Sequence, residues 1–261
     1  MSEPVGASEP VRGSEAAREP SGPVLEAVGL SRRYGELTVL DGVGLRLRAG
    51  EALGVVGPNG AGKTTLLGLL SGSLVPDSGT VRFRGHDVTA LGPERRCRLG
   101  VARTHQVPRP FTGLTVLENV LVGAAQGGGL RGSAADRAAL EALELCGLLQ
   151  VANRRAGALG LMHRKRLELA RAVATGPSIL LLDEIGGGLT EAESAGLVET
   201  IRELRDRGAA VVWIEHVVHI LVQVVDRLLC LASGRAIAEG APDEVMRDPV
   251  VVGAYLGRVA E

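Results

Sequence analysis

The stretch GPNGAGKTT (57–65) decides the reading of this chain. It fits G-x-x-x-x-G-K-[ST], and each residue type in that spacing has a physical task. Gly57, Gly60 and Gly62 let the backbone turn so that successive N–H groups, including those around Pro58, Asn59 and Ala61, face one anion. Lys63 puts a cation on the outer phosphates of a nucleotide, and the Thr64 hydroxyl can ligate Mg²⁺, with Thr65 beside it. The flanks agree. ALGVV (52–56) is an apolar run suited to a strand buried on both faces, and a helical pattern from Thr64 to about Leu70 points its N-terminus at the same anion. Lys63 and Lys165 are the only lysines in an arginine-rich chain, so a lysine at this position is informative.

A second stretch completes the chemistry. SILLLDE (178–184) is an apolar strand that delivers Asp183 at its C-terminal end, where α/β folds place ligands. Asp183 can hold a Mg²⁺ shell, and Glu184 can polarise an attacking water as a general base.

Outward from these motifs the chain alternates. Short strand-like segments lie at VLEAVGL, LTVL–GVGLRL (37–47) and VRFRG (81–85). Residues 107–172 read as a helical insert, in which Leu140, Leu143 and Leu148 mark an apolar face and Gly147 lies near a helix end. Ile179–Leu182 and Ala210–Ile214 read as buried strands. Between them Thr190 and Glu193 form a capping box for a helix with Leu197, Val198, Ile201 and Leu204 on one face, ending at Gly208. RLLCLASGRAIAEG reads as a hairpin turning at Ser233-Gly234. Strands alternating with helices predict a parallel sheet.

Composition bounds the rest. The chain has 261 residues, 45% hydrophobic and 23% charged, with net charge −1. That balance supports a packed core and argues against a nucleic-acid binder driven by bulk charge. Three scattered cysteines, Cys97, Cys146 and Cys230, exclude a CxxC zinc ribbon and fit a reducing compartment. No apolar run reaches the roughly 18 residues of a membrane span. Residues 1–22 hold Ser-Glu-Pro twice and few large apolar groups, which predicts a disordered tail rather than a signal peptide. The expectation is a soluble intracellular protein whose membrane part, if it has one, is supplied by a partner.

The sequence resembles the ATP-binding-cassette (ABC) ATPases over about residues 24–257. The resemblance implies an α/β P-loop NTPase (RecA-like) core with an antiparallel β subdomain and an α-helical subdomain, a single cassette spanning 23–261 that uses ATP and Mg²⁺. Tyr34 in SRRYG matches the family's adenine-stacking aromatic. Gln106 in ARTHQ matches the glutamine that senses the γ-phosphate and Mg²⁺ and touches the transporter partner. His216 in VVWIEH matches the γ-phosphate histidine. His219 matches nothing and reads as helix surface. Finer likeness in GVARTHQ, LTVLENVLVG (114–123), RLELARAVAT (166–175) and the IEH…IAEGAP…DP…AYLG tail points to the ATPases of branched-chain amino-acid importers, and to the longer of their two ATPases. The resemblance implies two membrane permease subunits, a second ABC ATPase or a self-dimer, an extracytoplasmic solute-binding protein, no nucleic acid, and a cytoplasmic place on the inner face of the cell membrane. Branched-chain amino acids, urea and other small amides stay open as the solute. The alternatives are a soluble non-transport ABC ATPase and a degenerate cassette that binds ATP with little turnover.

The chain departs from the family pattern at four places. The L-S-G-G-Q signature aligns with Leu159, Gly160, Leu161, Met162 and His163, so Gly160 brings no hydroxyl to the opposite subunit's γ-phosphate, although it can still cap a helix. The loss of one hydroxyl contact to a charged group is worth about 1.5–3 kcal/mol. Arg164 and Lys165 stand nearby. His105 replaces the usual Phe before Gln106, Ile185 replaces the Pro after Glu184, and Thr190 aligns with the Asp that couples the two sites.

Overall fold

The computed structural model describes residues 22–256. The expected tail, apart from Gly22, lies outside the described residues.

Two sheets share one core. An antiparallel sheet is built from β1 (Leu25–Tyr34), β2 (Leu37–Leu47), β4 (Ser78–Phe83) and β5 (His86–Asp87), in the order β2-β1-β4-β5. Between β2 and β4 the chain forms β3 (Ala52–Val56) and α1 (Lys63–Ser71). The second sheet takes β3, β6 (Val101–Arg103), β7 (Ile179–Asp183), β8 (Ala210–Ile214), β9 (Arg227–Ala232) and β10 (Arg235–Gly240), in the order β10-β9-β3-β8-β7-β6. All its pairings are parallel except β9 with β10. That edge hairpin turns at Ser233 and Gly234, with φ of 46° and 78°, as expected for a turn that matches strand twist.

The parallel strands are apolar throughout because both their faces are covered. In β8, Ala210, Val212 and Ile214 face the antiparallel sheet and α1, whereas Val211 and Trp213 face the helices on the other side. In β7 the same alternation sends Ile179 and Leu181 one way and Leu180 and Leu182 the other. The covering helices include α2 (Pro93–Leu99), α3 (Val116–Val122), α4 (Ser133–Leu145), α5 (Leu161–Val173) and α6 (Glu191–Asp206). A π turn, Gly123–Gly127, continues α3, and Gly123 packs so closely on α5 that a Cβ would lie 2.4 Å from the Arg171 carbonyl. The short α7 (Val218–Leu221), α8 (Pro242–Arg247) and α9 (Pro249–Tyr255) complete the described elements.

Two local expectations are corrected. The strand expected over 81–85 is β4, Ser78–Phe83; Arg84 and Gly85, with φ of 48° and 80°, already form the turn into β5. Leu140 is not on the buried face of its helix and is 46% exposed. That face is carried by Ala135, Ala139, Ala142 and Leu143, since small side chains let α4 lie close to its neighbours. Leu143 and Leu148 are buried, Leu148 beyond the helix end. The capping box is present: Glu193 N–H donates to Thr190 Oγ1 at 3.3 Å, and Thr190 N–H to Glu193 Oε2 at 2.8 Å.

The far end of α1 is anchored by Arg96, which is fully buried. Its guanidinium donates to the carbonyls of Leu69 at 2.6 Å and Leu70 at 2.8 Å, and to those of Leu91 and Thr89. These carbonyls belong to the last turn of α1, where the Leu69 carbonyl otherwise has only a long capping bond from the Gly72 N–H at 3.4 Å. Burial lowers the Arg96 pKa to about 10, partly offset by Asp87.

Candidate nucleotide site

The site forms where β3, β7 and β8 end together. The loop after β3 turns through Gly57, Gly60 and Gly62, with φ of 142°, 79° and 101°. Two of these glycines are also required by space. A Cβ on Gly57 would stand 2.0 Å from the Leu231 carbonyl oxygen, and one on Gly62 would stand 2.7 Å from both Leu40 and the Val39 carbonyl. Gly62 caps α1 without a side-chain hydrogen bond, so no side chain competes for the first-turn N–H groups and they remain donors for an anion. The Lys63 ammonium lies inside the loop and donates to the Gly57 carbonyl at 2.7 Å and the Pro58 carbonyl at 3.0 Å. Burial lowers its pKa, opposed by Glu184, Cys230 and Asp183.

A cleft of about 470 Å³ is lined by Asn59, Gly60, Ala61, Gly62, Lys63, Thr64, Thr65, Glu184 and His216. Three chain segments far apart in sequence meet on one carboxylate here. His216 Nε2 lies 2.7 Å from Glu184 Oε1, and the Gln106 side-chain amide donates to Glu184 Oε2. Glu184 itself is a non-glycine residue at φ 48°, held by its N–H donating to the Ile214 carbonyl at 2.9 Å. Such a left-handed residue costs free energy and persists where the surroundings enforce it. Here the β7–β8 pairing aims the carboxylate into the cleft.

Asp183 sits behind it, almost fully buried. Its Oδ2 pairs with the Arg103 guanidinium at 2.8 Å, and its N–H donates to Thr104 Oγ1 at 3.2 Å. Its Oδ1 is buried with no hydrogen-bond partner. An orphaned carboxylate oxygen at a strand end, near enough to the phosphate loop for its charge to act on Lys63, fits a hard divalent cation held with a phosphate.

Two expected residues lie away from this cleft. Tyr34 ends β1 with its ring 47% exposed, and the Arg32 guanidinium covers it at 5.1 Å from the ring centroid. Gly160 caps α5 in extended geometry with open space around it and does not line the cleft. His219 is on the surface, as expected. His105 does not stand alone before Gln106: its Nδ1 is 2.8 Å from Glu168 Oε1, and Arg171 holds the other oxygen at 3.1 Å. Burial would raise the Glu168 pKa, but the His105 hydrogen bond and the Arg171 charge outweigh it and hold the carboxyl below its ordinary value.

Several residues that shape the site carried no signal in the sequence. Arg103 and Thr104 lie inside the quoted ARTHQ segment, yet only the β6–β7 pairing shows that they grip Asp183. Glu215, next to His216, is buried, and its carboxylate accepts from the Gly186 N–H and from the Trp213 indole at 3.3 Å. Burial raises its pKa, opposed chiefly by the Gly186 N–H and the indole. The Lys165 ammonium donates to the Gly187 carbonyl, so the glycines after Glu184 are held from both sides. Tyr255, from the end of α9, reaches the first residue of the loop at Gly57.

A phosphate loop, a buried carboxylate with a free oxygen and a second carboxylate gripped by Gln106 and His216 define a nucleotide-hydrolysing P-loop cassette. The ABC transporter family model matches residues 40–186, and the model for the branched-chain amino acid ATP-binding cassette transporter matches 237–261. The chain belongs to the ABC transporter family, as an ATP-binding cassette that hydrolyses ATP. It is 39% identical over 252 residues to the high-affinity branched-chain amino acid transport ATP-binding protein LivG of Salmonella typhimurium, covering 91% of this chain and 99% of that one. It is 35% identical over 252 residues to BraF, a protein of the same description from Pseudomonas aeruginosa, with the same coverage. Among solved structures, a nucleotide-free ATP-binding cassette from an ABC transporter superposes with a TM-score of 0.83 at 30% identity, covering 92% of this chain and 100% of that one. The ADP conformation of an ABC-transporter cassette superposes equally well, at 0.83 and 30% identity, covering 91% and 100%.

Proposed function

We propose that the chain is the ATP-hydrolysing subunit of an importer for branched-chain amino acids or a closely related amino acid or amide. The observation that carries this reading is the match of the C-terminal residues 237–261 to the branched-chain amino acid cassette, joined to full-length similarity with LivG and BraF.

In this reading the cassette spans 23–261, with a helical subdomain at about 107–172. Backbone N–H groups between Asn59 and Thr65 and the Lys63 ammonium hold the phosphates, Gly57 and Pro58 shape the loop that presents them, and Tyr34 stacks on the adenine. Thr64, Asp183 and Gln106 hold Mg²⁺, which supplies charge neutralisation on the phosphate oxygens. The free Asp183 Oδ1 supports that assignment, because a cation would satisfy it. Arg103 keeps the other oxygen oriented. Glu184 accepts a proton from the attacking water. His216 and Gln106 fix its two oxygens beforehand, so little reorganisation is left for the reacting state. Gly160 at the start of α5 faces the nucleotide of a second cassette, and the absence of a hydroxyl there favours an asymmetric pair in which this signature serves the weaker site. The Gln106 region and the helical insert transmit closure to two membrane permeases fed by a solute-binding protein. No helix among the described residues is long and apolar enough to cross a membrane. In this reading those permeases hold the cassette at the membrane.

The test has two parts. The tagged chain is captured from detergent-solubilised native membranes, and membrane vesicles with and without it are assayed for ATP-dependent uptake of labelled leucine, isoleucine, valine and urea. Co-purification of two hydrophobic permeases and a second cassette, with uptake lost in Glu184→Gln vesicles, supports the reading. Capture of soluble proteins alone, with uptake unchanged, overturns it in favour of a non-transport ATPase.

A further inference from the structure

The C-terminal helix touches the phosphate loop. The Gly57 N–H donates to the Tyr255 hydroxyl at 2.8 Å, across 198 residues of sequence. Gly57 is where β3 leaves the sheet: Val56 is the last residue paired with β9, opposite Cys230. Its other side is closed, since the Leu231 carbonyl occupies the space a Cβ would take. The Gly57 carbonyl in turn accepts from the Lys63 ammonium at 2.7 Å. One residue is thus gripped at its N–H by α9 and at its carbonyl by the phosphate-binding lysine.

The support for Tyr255 is local and independent of the loop. Asp248 caps α9 by accepting from Val250 N–H at 2.7 Å and Val251 N–H at 3.4 Å, Pro249 opens the helix, and Val251 is fully buried. Burial raises the Tyr255 pKa, so at neutral pH the phenol stays a neutral hydroxyl that can accept this bond. The helix falls inside 237–261, the segment that matches the branched-chain cassette model.

We infer that Tyr255 is a positioning residue for nucleotide binding, acting through Gly57 and Lys63, and that one role of the C-terminal segment is to set the geometry of the phosphate loop. The inference rests on the chain binding ATP and is independent of the solute. The Tyr255→Phe variant removes only the acceptor, leaving the ring and the Asp248 and Val251 anchorage in place. It should weaken MgATP and MgADP binding by about fivefold to tenfold and raise KM equally, with kcat changed less than twofold and a Tm lower by a few degrees, because the buried Gly57 N–H loses its acceptor. A purely structural role gives the same fall in Tm with unchanged nucleotide Kd and KM, and that result overturns the inference. Hydrogen exchange on the full wild-type chain tests the contact on which the inference stands, without a variant or a nucleotide. The Gly57 amide should exchange far more slowly than the Gly60 amide in the same loop; equal, fast exchange of both overturns the inference whether or not ATP binds.

Discussion

Replacing Glu184 by Gln separates binding from chemistry at this site. The carboxylate presents two acceptor oxygens, one 2.7 Å from His216 Nε2 and one bonded to the Gln106 amide. The two neighbours use different carboxylate oxygens, and in Gln one of those positions becomes an NH₂ donor, so it cannot accept at both places, and it cannot take a proton from water. General-base assistance contributes about 10²–10⁴ in rate. At 1.36 kcal/mol per decade that is about 3–5.5 kcal/mol of barrier. Nucleotide affinity should move the other way. Glu184 is one of the charges acting on Lys63 from within the cleft, and removing it also removes repulsion toward a bound triphosphate. The expected result is phosphate release slowed by at least a hundredfold, with MgATP bound as tightly as in wild type or more so. The assay is steady-state phosphate release by the chain in its membrane assembly, beside equilibrium binding of a fluorescent ATP analogue. Turnover within about threefold of wild type would refute the assignment of Glu184, and turnover lost together with binding would show that the residue shapes the loop instead.

Three further outcomes follow from the geometry. Arg96→Met leaves the buried Leu70 carbonyl unpaired and the Leu69 carbonyl with only the long Gly72 N–H bond, and frees the part-buried Leu91 and Thr89 carbonyls; at about 1–3 kcal/mol for each buried unpaired group, the loss should be at least about 2 kcal/mol, or a Tm fall of roughly 4–8 °C by differential scanning fluorimetry. Glu168 has a folded-state pKa below its ordinary value, so its contribution is present above that value and disappears as pH falls through the depressed one. The urea midpoint of Glu168→Gln should therefore lie below wild type at pH 7 and converge on it towards pH 3; a gap independent of pH contradicts the ion-pair account. Glu215 has the opposite sign: its raised folded-state pKa makes the ionised form costly once pH exceeds the ordinary carboxylate value. Because Gln retains an oxygen to accept from Gly186 N–H and Trp213, Glu215→Gln should match wild-type Tm below the ordinary carboxylate pKa and exceed it above, by a margin that grows until pH passes the raised folded-state pKa and is constant beyond it, whereas a constant deficit at every pH would mean the charge itself is needed.

What the sequence determined by itself was the local chemistry. GPNGAGKTT carries its own geometry, because glycine spacing, lysine and hydroxyl act within nine residues. SILLLDE likewise announces a doubly buried strand ending in carboxylates, and the Thr190–Glu193 box announces its helix. Each of these signals is complete within one turn or one strand. Of the three leucines expected on one face of the helical insert, Leu143 and Leu148 are buried, but the stripe of α4 is otherwise made by Ala135, Ala139 and Ala142, and Leu140 lies outside it. Only the tertiary structure decided which groups complete the site. Arg103 meets Asp183 across 80 residues, Gln106 meets Glu184 across 78, and Tyr255 meets Gly57 across 198. Those meetings depend on strand order β9-β3-β8-β7-β6, and on α9 packing beside α8 and β10 so that Tyr255 reaches the loop after β3. Strand order is a property of the assembled sheet. Any buried strand can pair with any other of similar length, so the apolar runs that predict the strands say nothing about which strand ends become neighbours.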